Sequence, residues 1–187
     1  MWWHDTQRLA ALARSGVALA AAALLAGCFQ PIYGEHSAIG APIVREQLSA
    51  VDIEQIVAPK GTDEARLAVE VRNSLIFDFT GGGYAPPPTH RLRIQIASTR
   101  LSVIVDINTS RPDIENYGIN ASYILTEIAT GKSVVTGTPF ARVSYDIPGQ
   151  QQRFARARGL RDAESRAAKV ISDNIRARLA SYFIAGT

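Results

Sequence analysis

The stretch HRLRIQI, residues 90–96, decides the fold because its apolar and polar residues alternate. Leucine and isoleucine fall on one side of an extended chain, and arginine and glutamine fall on the other, which is typical of a β-strand with one buried face. Further along, the apolar residues change from even to odd positions, beginning at Leu101. The sequence therefore predicts a long strand with a bulge or bend near residues 98–100.

Two more strands are predicted after this one. Residues 117–125 alternate between apolar and polar side chains, and the motif ATGK, residues 129–132, has the composition of a tight turn. A further strand is predicted over residues 133–146, where Pro139 favours an edge position or a local irregularity. The three strands from residue 90 onward are therefore expected to form an antiparallel meander.

Helical periodicity is found on both sides of the meander. Thr62 has the residue type of a helix N-cap, and apolar residues then recur every four positions as far as Phe79. A second, long helix is predicted over residues 160–183, and the Val- and Ile-rich segment 50–59 predicts a strand before the first helix. The predicted fold class is α+β: a four-stranded sheet with two helices packed on one face, in the order β-α-β-β-β-α.

The first residues are typical of an export signal. Arg8 and Arg14 precede an apolar run over residues 17–25, which is shorter than the ~20 residues that a membrane-spanning helix needs. The Leu-Ala-Gly that follows resembles a bacterial lipobox, and Cys28 comes directly after it. We therefore predict that residues 1–27 are a lipoprotein signal peptide and that Cys28 carries covalent lipid. The alternative is an ordinary signal peptide with a cysteine there by chance.

The predicted mature chain has two parts. Residues 28–50 contain proline and glycine without periodicity, which predicts a lipid-anchored tether, and residues 51–187 have the length of a single domain. Cys28 is the only cysteine, so the domain has no disulfide and depends on its apolar core.

The charge of the mature chain is unevenly distributed. Residues 28–150 carry 10 basic and 13 acidic side chains, whereas residues 151–187 carry 8 basic and 3 acidic ones. A basic C-terminal helix favours an anionic neighbour, and for an exported lipoprotein this means lipid head groups or a partner protein, with no nucleic acid. A solvated helix surface is the alternative.

The sequence has no pattern typical of an enzyme or a metal site. Residues 126–133 end in Gly-Lys-Ser but lack the first glycine of a phosphate-binding loop, and they join two strands. No histidine has a partner at metal-ligand spacing, and no serine sits in a nucleophile elbow. A polar strand face explains Ser144 and Asp146 more simply than catalysis does. We expect no enzymatic activity, no metal and no cofactor besides the lipid on Cys28.

Several segments resemble the LptE family of lipopolysaccharide-assembly lipoproteins. The segment CFQPIYG, residues 28–34, is similar to the Cys-Gly-Phe-x-Pro-Leu-Tyr-Gly start of that family, without the glycine after the cysteine. The similarity continues in the same order through VRNSLIFDF, THRLRIQI, YILTEIATGKSVVTG and RARLASYF. It extends over nearly all of the predicted mature chain.

This resemblance implies an outer-membrane lipoprotein without enzymatic activity. Such a protein plugs and helps to assemble the LptD β-barrel translocon and assists lipopolysaccharide insertion into the outer membrane. The implied partners are an LptD-like barrel, lipopolysaccharide and the membrane that holds the lipid anchor. The domain is then expected on the periplasmic side or within the barrel lumen.

Four cations are candidate lipopolysaccharide-binding residues because of their charge and placement. Lipopolysaccharide is rich in phosphate and carboxylate, which accept charge-assisted hydrogen bonds from exposed basic side chains. The candidates are Arg91, Arg93, Arg111 and Lys132. The alternative for each is an ordinary solvated side chain.

Two other functions fit the same sequence features. A pilot or auxiliary lipoprotein of another envelope secretion or lipid-transport complex has the same anchor and a small domain. An envelope hydrolase needs an activated nucleophile or a metal, and mutation of Ser144 or Asp146 would then abolish turnover.

Overall fold

The chain forms three helices and five strands within residues 44–103, 114–147 and 153–185, which are the residues that the computed structural model describes. In chain order they are α1 (Val44–Ser49), β1 (Val51–Ile53), α2 (Asp63–Thr80), β2 (His90–Val103), β3 (Ile114–Glu127), β4 (Ser133–Gly137), β5 (Phe140–Asp146) and α3 (Arg153–Ala185). The predicted signal peptide, Cys28 and Arg111 lie outside the described residues.

The sheet is centred on β2 and β3. These strands pair antiparallel over their whole length, from His90 opposite Glu127 to Val103 opposite Ile114. β1 pairs parallel with the beginning of β2, whereas β4 and β5 both pair antiparallel with β3 on its other side. Since β4 and β5 follow one another along β3, the sheet is at most four strands wide. The predicted α+β fold is confirmed.

Both long helices pack on the same face of this sheet. α2 begins after Thr62, whose Oγ1 accepts a hydrogen bond from the Ala65 amide at 3.3 Å, and ends at Gly81, which has a φ of 63°. The largest fully buried side chains come from both helices and from β2 and β3: Leu67, Val71, Leu75, Phe79, Leu92, Tyr117, Ile119, Leu125, Ile171, Ile175 and Leu179. Burial of each such side chain stabilises the fold by about 1.5–3 kcal/mol.

The predicted bulge in β2 is wrong. The pairing of β2 with β3 has no register shift from His90 to Val103. The apolar pattern changes because the exposed face of the strand becomes apolar near its end, where Leu101 is 64% exposed and Val103 is also partly exposed. On the face toward the helices, the same part of β2 carries Ser98 and Ser102 instead of apolar residues.

The strand predicted over residues 133–146 is divided into two. β4 ends at Gly137 and β5 begins at Phe140, with Pro139 between them. Proline has no amide hydrogen to donate, so it interrupts the ladder, as the sequence indicated. Both strands still pair with β3, so the direction of the chain is unchanged across the break.

The folded part of the chain begins before residue 51. The last residues of the predicted tether form α1, in which Leu48 is buried in the core. Six residues are too few to show helical periodicity, so composition alone indicated an irregular segment. Among the described helices, none is both long and apolar enough to cross a membrane.

Candidate functional site

The candidate site is the face of the sheet that none of the described helices covers, which we call the open face. It consists of alternate side chains on each strand, because neighbouring residues of a strand point to opposite sides. Described residues on the open face include Asp52, Arg91, Arg93, Gln95, Ala97, Thr99, Asn116, Gly118, Asn120, Ser122, Ile124, Thr136, Phe140, Arg142 and Ser144. The opposite face carries the buried residues of the same strands.

Two of the four candidate cations lie side by side on the open face. Arg93 Nε is 2.9 Å from a carboxylate oxygen of Glu54, and Arg91 Nε is 3.6 Å from the other oxygen of that carboxylate. Arg91 also lies 3.8 Å from Asp52. Both arginines therefore have acidic partners at the β1 edge of the sheet.

The contact between Arg93 and Glu54 affects the acid–base behaviour of both groups. The hydrogen bond from Arg93 is the main reason that the pKa of Glu54 is below its usual value, and the charges of Arg93 and Arg91 act in the same direction. The same hydrogen bond raises the pKa of Arg93. Glu54 is therefore ionised at neutral pH, and its charge offsets part of the positive charge of the two arginines.

The other candidate cations are placed differently. Lys132 is exposed in the turn between β3 and β4, directly before Ser133. Ser133 pairs with Thr126, which lies opposite Arg91, so Lys132 is at the same end of the sheet as Arg91. Arg111, together with the predicted lipidation site Cys28, lies outside the described residues.

Small residues form a shallow depression in the middle of the open face. Its volume is about 540 Å³, and it is lined by residues that include Ala97, Asn120, Ser122 and Phe140. Nearby, a Cβ added at Gly118 would lie 2.6 Å from Thr99 Oγ1, so glycine lets the threonine lie flat on the sheet. Our sequence analysis did not identify this depression, although small side chains at alternate strand positions are its signal.

Phe140 stands at the rim of the depression and is largely exposed. It begins β5 and pairs with Asn120 of β3. Ile124, farther along the same face of β3, is also exposed. The open face therefore combines polar side chains with a few exposed apolar ones.

Among the described residues, the Ser144 hydroxyl bonds to an amide and not to a basic side chain. The Ser144 hydroxyl donates a hydrogen bond to Asn116 Oδ1 at 2.7 Å, and an amide oxygen is too weak a base to activate a nucleophile. Within the described ranges, no three histidine, cysteine or acidic side chains are close enough to hold a metal ion.

A second polar cluster is buried on the helix side of the sheet. Glu115, 7% exposed, accepts hydrogen bonds from the Tyr145 hydroxyl and, at 3.2 Å, from the Ser102 hydroxyl. Arg156 of α3 lies 3.6 Å from the same carboxylate. Burial and the Glu115 contact raise the pKa of Tyr145 to about 12. This cluster joins three strands to α3, and Tyr145 also lines a pocket of about 470 Å³ together with residues of α3 that include Gly159 and Asp162.

Several basic side chains of α3 are paired within the domain. Arg166 and Lys169 form ion pairs one turn along the helix, with Asp162 and Asp173. Arg176 reaches Asp78 of α2 at 3.9 Å. These contacts indicate that the middle of this helix is an ordinary solvated surface and not a binding site for an anionic neighbour.

Comparison with known proteins supports the fold. No protein-family model and no curated protein sequence matches the chain. The crystal structure of a "putative lipoprotein" from Caulobacter crescentus CB15 is similar, with a TM-score of 0.53 and 19% identity, over 76% of this chain and 96% of that one. At this identity the two proteins share a fold, and no more is inferred from the match.

Two other solved structures are more distantly similar. A minor lipoprotein from Acinetobacter baumannii has a TM-score of 0.41 and 13% identity, over 68% of this chain and 89% of that one. Rare lipoprotein B from Shewanella oneidensis has a TM-score of 0.39 and 11% identity, over 72% and 89%. Both TM-scores are too low to carry an inference about this chain.

Proposed function

We propose that this chain is an outer-membrane lipoprotein, anchored through lipid on Cys28, whose open face docks against the inner wall of a large LptD-like β-barrel. In this role it plugs the barrel, helps it to assemble and assists the insertion of lipopolysaccharide. The observation that carries the proposal is a lipobox-like start followed by a domain whose described helices cover one face of the sheet and leave the other face open.

The composition of the open face fits this partner. The interior of a large outer-membrane barrel is polar, so a plug needs a polar surface that hydrogen-bonds to it. The centre of the open face presents Gln95, Asn120 and Ser122, whose side chains both donate and accept hydrogen bonds. Phe140 adds one exposed apolar anchor beside them.

Lipopolysaccharide contact is assigned to the cations at one end of the open face. Arg91, Arg93 and Lys132 lie at that end, and Arg111 stays a candidate from the sequence. Because Glu54 offsets the charge of Arg91 and Arg93, we infer that these arginines release Glu54 when they bind a phosphate or carboxylate group of the ligand. Lys132 has no ion pair among the described residues, so it is the cation that binds without such an exchange.

A second candidate function has the same anchor and a different partner. A pilot or auxiliary lipoprotein of another envelope secretion or lipid-transport complex also needs an exposed protein-binding face. The two functions differ in what contacts the open face. We assign no enzymatic activity to either.

Photocrosslinking in cells tests the proposal. A photoreactive amino acid replaces Arg93, Asn120 or Phe140 on the open face, and Val69 or Val170, exposed on the two long helices, serves as the control. Capture of one large β-barrel at the three open-face positions and not at the controls supports barrel docking. Capture of a secretin or an inner-membrane transporter at those positions supports the second function and overturns the first.

A further inference from the structure

One end of the domain is defined by the point where residue 44 enters the fold, and we call it the tether end. Ala50 follows α1, and its carbonyl accepts a hydrogen bond from Thr89 N at 2.9 Å, just before β2. The Thr89 carbonyl in turn accepts one from Ile128 N at 2.9 Å, in the turn after β3. The beginning of β2 and the end of β3 therefore lie at the tether end.

Both long helices also finish at the tether end. The His90 ring, in the first residue of β2, packs against Phe183 of α3 with a centroid distance of 5.2 Å. At the end of α2, a Cβ added at Gly81 would lie 3.1 Å from a guanidinium nitrogen of Arg45 in α1. The tether end is thus formed by α1, the last turns of α2 and α3, and two loops.

Large apolar side chains are exposed on every part of the tether end except α1. These are Phe77 (65% exposed) near the end of α2, Tyr84 (94%) in the following loop, Ile128 (41%) after β3 and Ile184 (55%) in the last turn of α3. The loop around Tyr84 is bounded by Gly81–Gly83 and Pro86–Pro88, so its aromatic ring projects from a short segment without regular structure. Four large apolar side chains are thus exposed at the same end of the domain. Apolar side chains that cluster on one part of a surface are typical of sites that contact protein or membrane.

The charges at the tether end are nearly balanced. The exposed cations there are Arg45, Arg91 and Lys132. The acidic side chains are Glu46, Glu127, which is half-buried beside the β3–β4 turn, and Asp52, which pairs with Arg91. Charge alone therefore does not favour a strongly acidic or a strongly basic partner at this end. The apolar side chains therefore determine what this end binds.

We infer that the tether end lies on the bilayer surface, with its apolar side chains inserted among the lipid head groups and the adjoining acyl chains. This inference rests on the lipid anchor of the proposed function. Residues 28–43 are 16 residues long and can span at most about 55 Å. The anchor joins the domain at residue 44, so the tether end is the part of the domain that it draws toward the lipid.

The physical chemistry favours lipid as the occupant. Tyrosine and tryptophan concentrate at membrane interfaces, where an aromatic ring is buried and its polar group stays hydrated. Insertion of a few apolar side chains buries apolar surface in addition to the acyl anchor and holds one end of the domain against the bilayer. The centre of the open face, around Asn120 and Ser122, lies away from this end, so lipid contact at the tether end leaves it available to a protein partner.

Tryptophan fluorescence tests this inference without removing the anchor. Trp2 and Trp3 precede Cys28, so the predicted mature chain has no tryptophan and each new one is a single probe. Phe77→Trp and Tyr84→Trp place the probe at the tether end. Phe140→Trp, on the open face, and Phe154→Trp, in the first turn of α3, are matched controls at largely exposed aromatic positions.

The lipidated variants are reconstituted into vesicles of phosphatidylethanolamine and phosphatidylglycerol with brominated acyl chains, which quench fluorescence on contact. The inference predicts loss of fluorescence for Phe77→Trp and Tyr84→Trp and none for the two controls. Equal quenching of all four probes, or quenching at the controls alone, overturns it.

Failure of this inference and failure of the proposed function are distinguishable. The mass of Cys28 reports lipidation, and the crosslinking experiment reports the barrel. A lipidated chain that captures a barrel but shows no quenching at the tether end overturns only the inference. Quenching confined to the tether end of a lipidated chain that captures no barrel supports the inference and leaves the proposed partner wrong.

Discussion

The ring of Tyr123 lies directly over Gly137, its partner across the β3–β4 ladder. A Cβ added at Gly137 would be 2.6–2.7 Å from the Tyr123 hydroxyl and two ring carbons. Tyr123 is buried against the helices, so its ring fills the space that a side chain on β4 would otherwise occupy. An aromatic residue that covers a cross-strand glycine fixes the register of the two strands at this point.

Gly137→Ala is therefore expected to destabilise the domain by about 1–3 kcal/mol, because the buried tyrosine has to leave its rotamer or β4 has to move. Chemical denaturation followed by circular dichroism measures the change. Thr136→Ala, at the exposed neighbouring position of the same strand, is the control and should have a much smaller effect. Equal midpoints for the two variants would show that the Tyr123 ring is free to move.

Tyr145 makes the stability of the domain depend on pH in the alkaline range. An unfolded tyrosine has a pKa of about 10, and the folded pKa of Tyr145 is about 12 because of burial and the Glu115 contact. The unfolded chain thus loses this proton first, so the stabilisation is complete below pH 10 and is lost as the pH rises toward 12. The pKa values of Tyr117 and Tyr123 are also raised by burial and act in the same direction.

We expect Tyr145→Phe to reduce the slope of the unfolding free energy against pH above pH 10 without removing it. Denaturation at a series of alkaline pH values measures that slope. Tyr84→Phe, at a highly exposed position, is the control and should leave it unchanged. A slope that is the same in the two variants contradicts the role of the Tyr145–Glu115 contact.

His90 makes the stability of the domain depend on pH in the mildly acidic range. Burial beside Tyr182 and Phe183 lowers its pKa from 6.5, and the charge of Glu127 opposes this only in part. The unfolded chain binds the proton more readily, so this stabilisation is complete above pH 6.5 and is lost as the pH falls through the lower, folded pKa. Protonation loosens the contact between β2 and the end of α3.

His90→Gln should therefore flatten the pH dependence of unfolding between about pH 5 and pH 7, a range in which an unperturbed histidine titrates. His36→Gln is the matched control, since His36 is the other histidine of the predicted mature chain. The assignment to His90 is wrong if the His36 variant flattens the dependence and the His90 variant does not.

Local pattern was sufficient for the layout of the fold and insufficient for its details. Alternation over residues 90–96 and the four-residue spacing after Thr62 predicted β2 and α2, because each element buries one face along its whole length. The change of apolar phase near Leu101 was misinterpreted as a bulge. Sequence pattern records that a face is apolar, and it does not record whether a helix covers that face.

The candidate site was predictable only in part for a related reason. The alternation placed Arg91 and Arg93 on one polar face, and the structure does so too. Their carboxylate partners are Asp52, in β1, and Glu54, directly after β1. Glu54 comes 39 positions before Arg93 in the sequence, and β1 pairs parallel with β2. A parallel pairing across an intervening helix leaves no local signal, so the partial neutralisation of the arginines could not be foreseen.

This neutralisation gives a prediction about ligand binding that follows from the proposed function. Glu54 is shared by Arg91 and Arg93, so Glu54→Gln removes their common acidic partner and retains a similar shape. We expect tighter binding of purified lipopolysaccharide by Glu54→Gln and weaker binding by Arg93→Gln, with the gain of the first variant decreasing at high salt. Fluorescence anisotropy of labelled lipopolysaccharide measures both.

A matched change of charge away from the open face separates local from general electrostatics. Glu70→Gln removes one negative charge from α2, where Glu70 contacts Ser165 of α3, and should leave lipopolysaccharide affinity nearly unchanged. If Glu70→Gln strengthens binding as much as Glu54→Gln does, net charge explains the effect and the arginine pair is not the contact site. Lys132 has no acidic partner among the described residues, so it can bind an anion without breaking an ion pair. If neither glutamate variant changes the affinity and Lys132→Gln lowers it, the ligand binds at the β3–β4 turn alone.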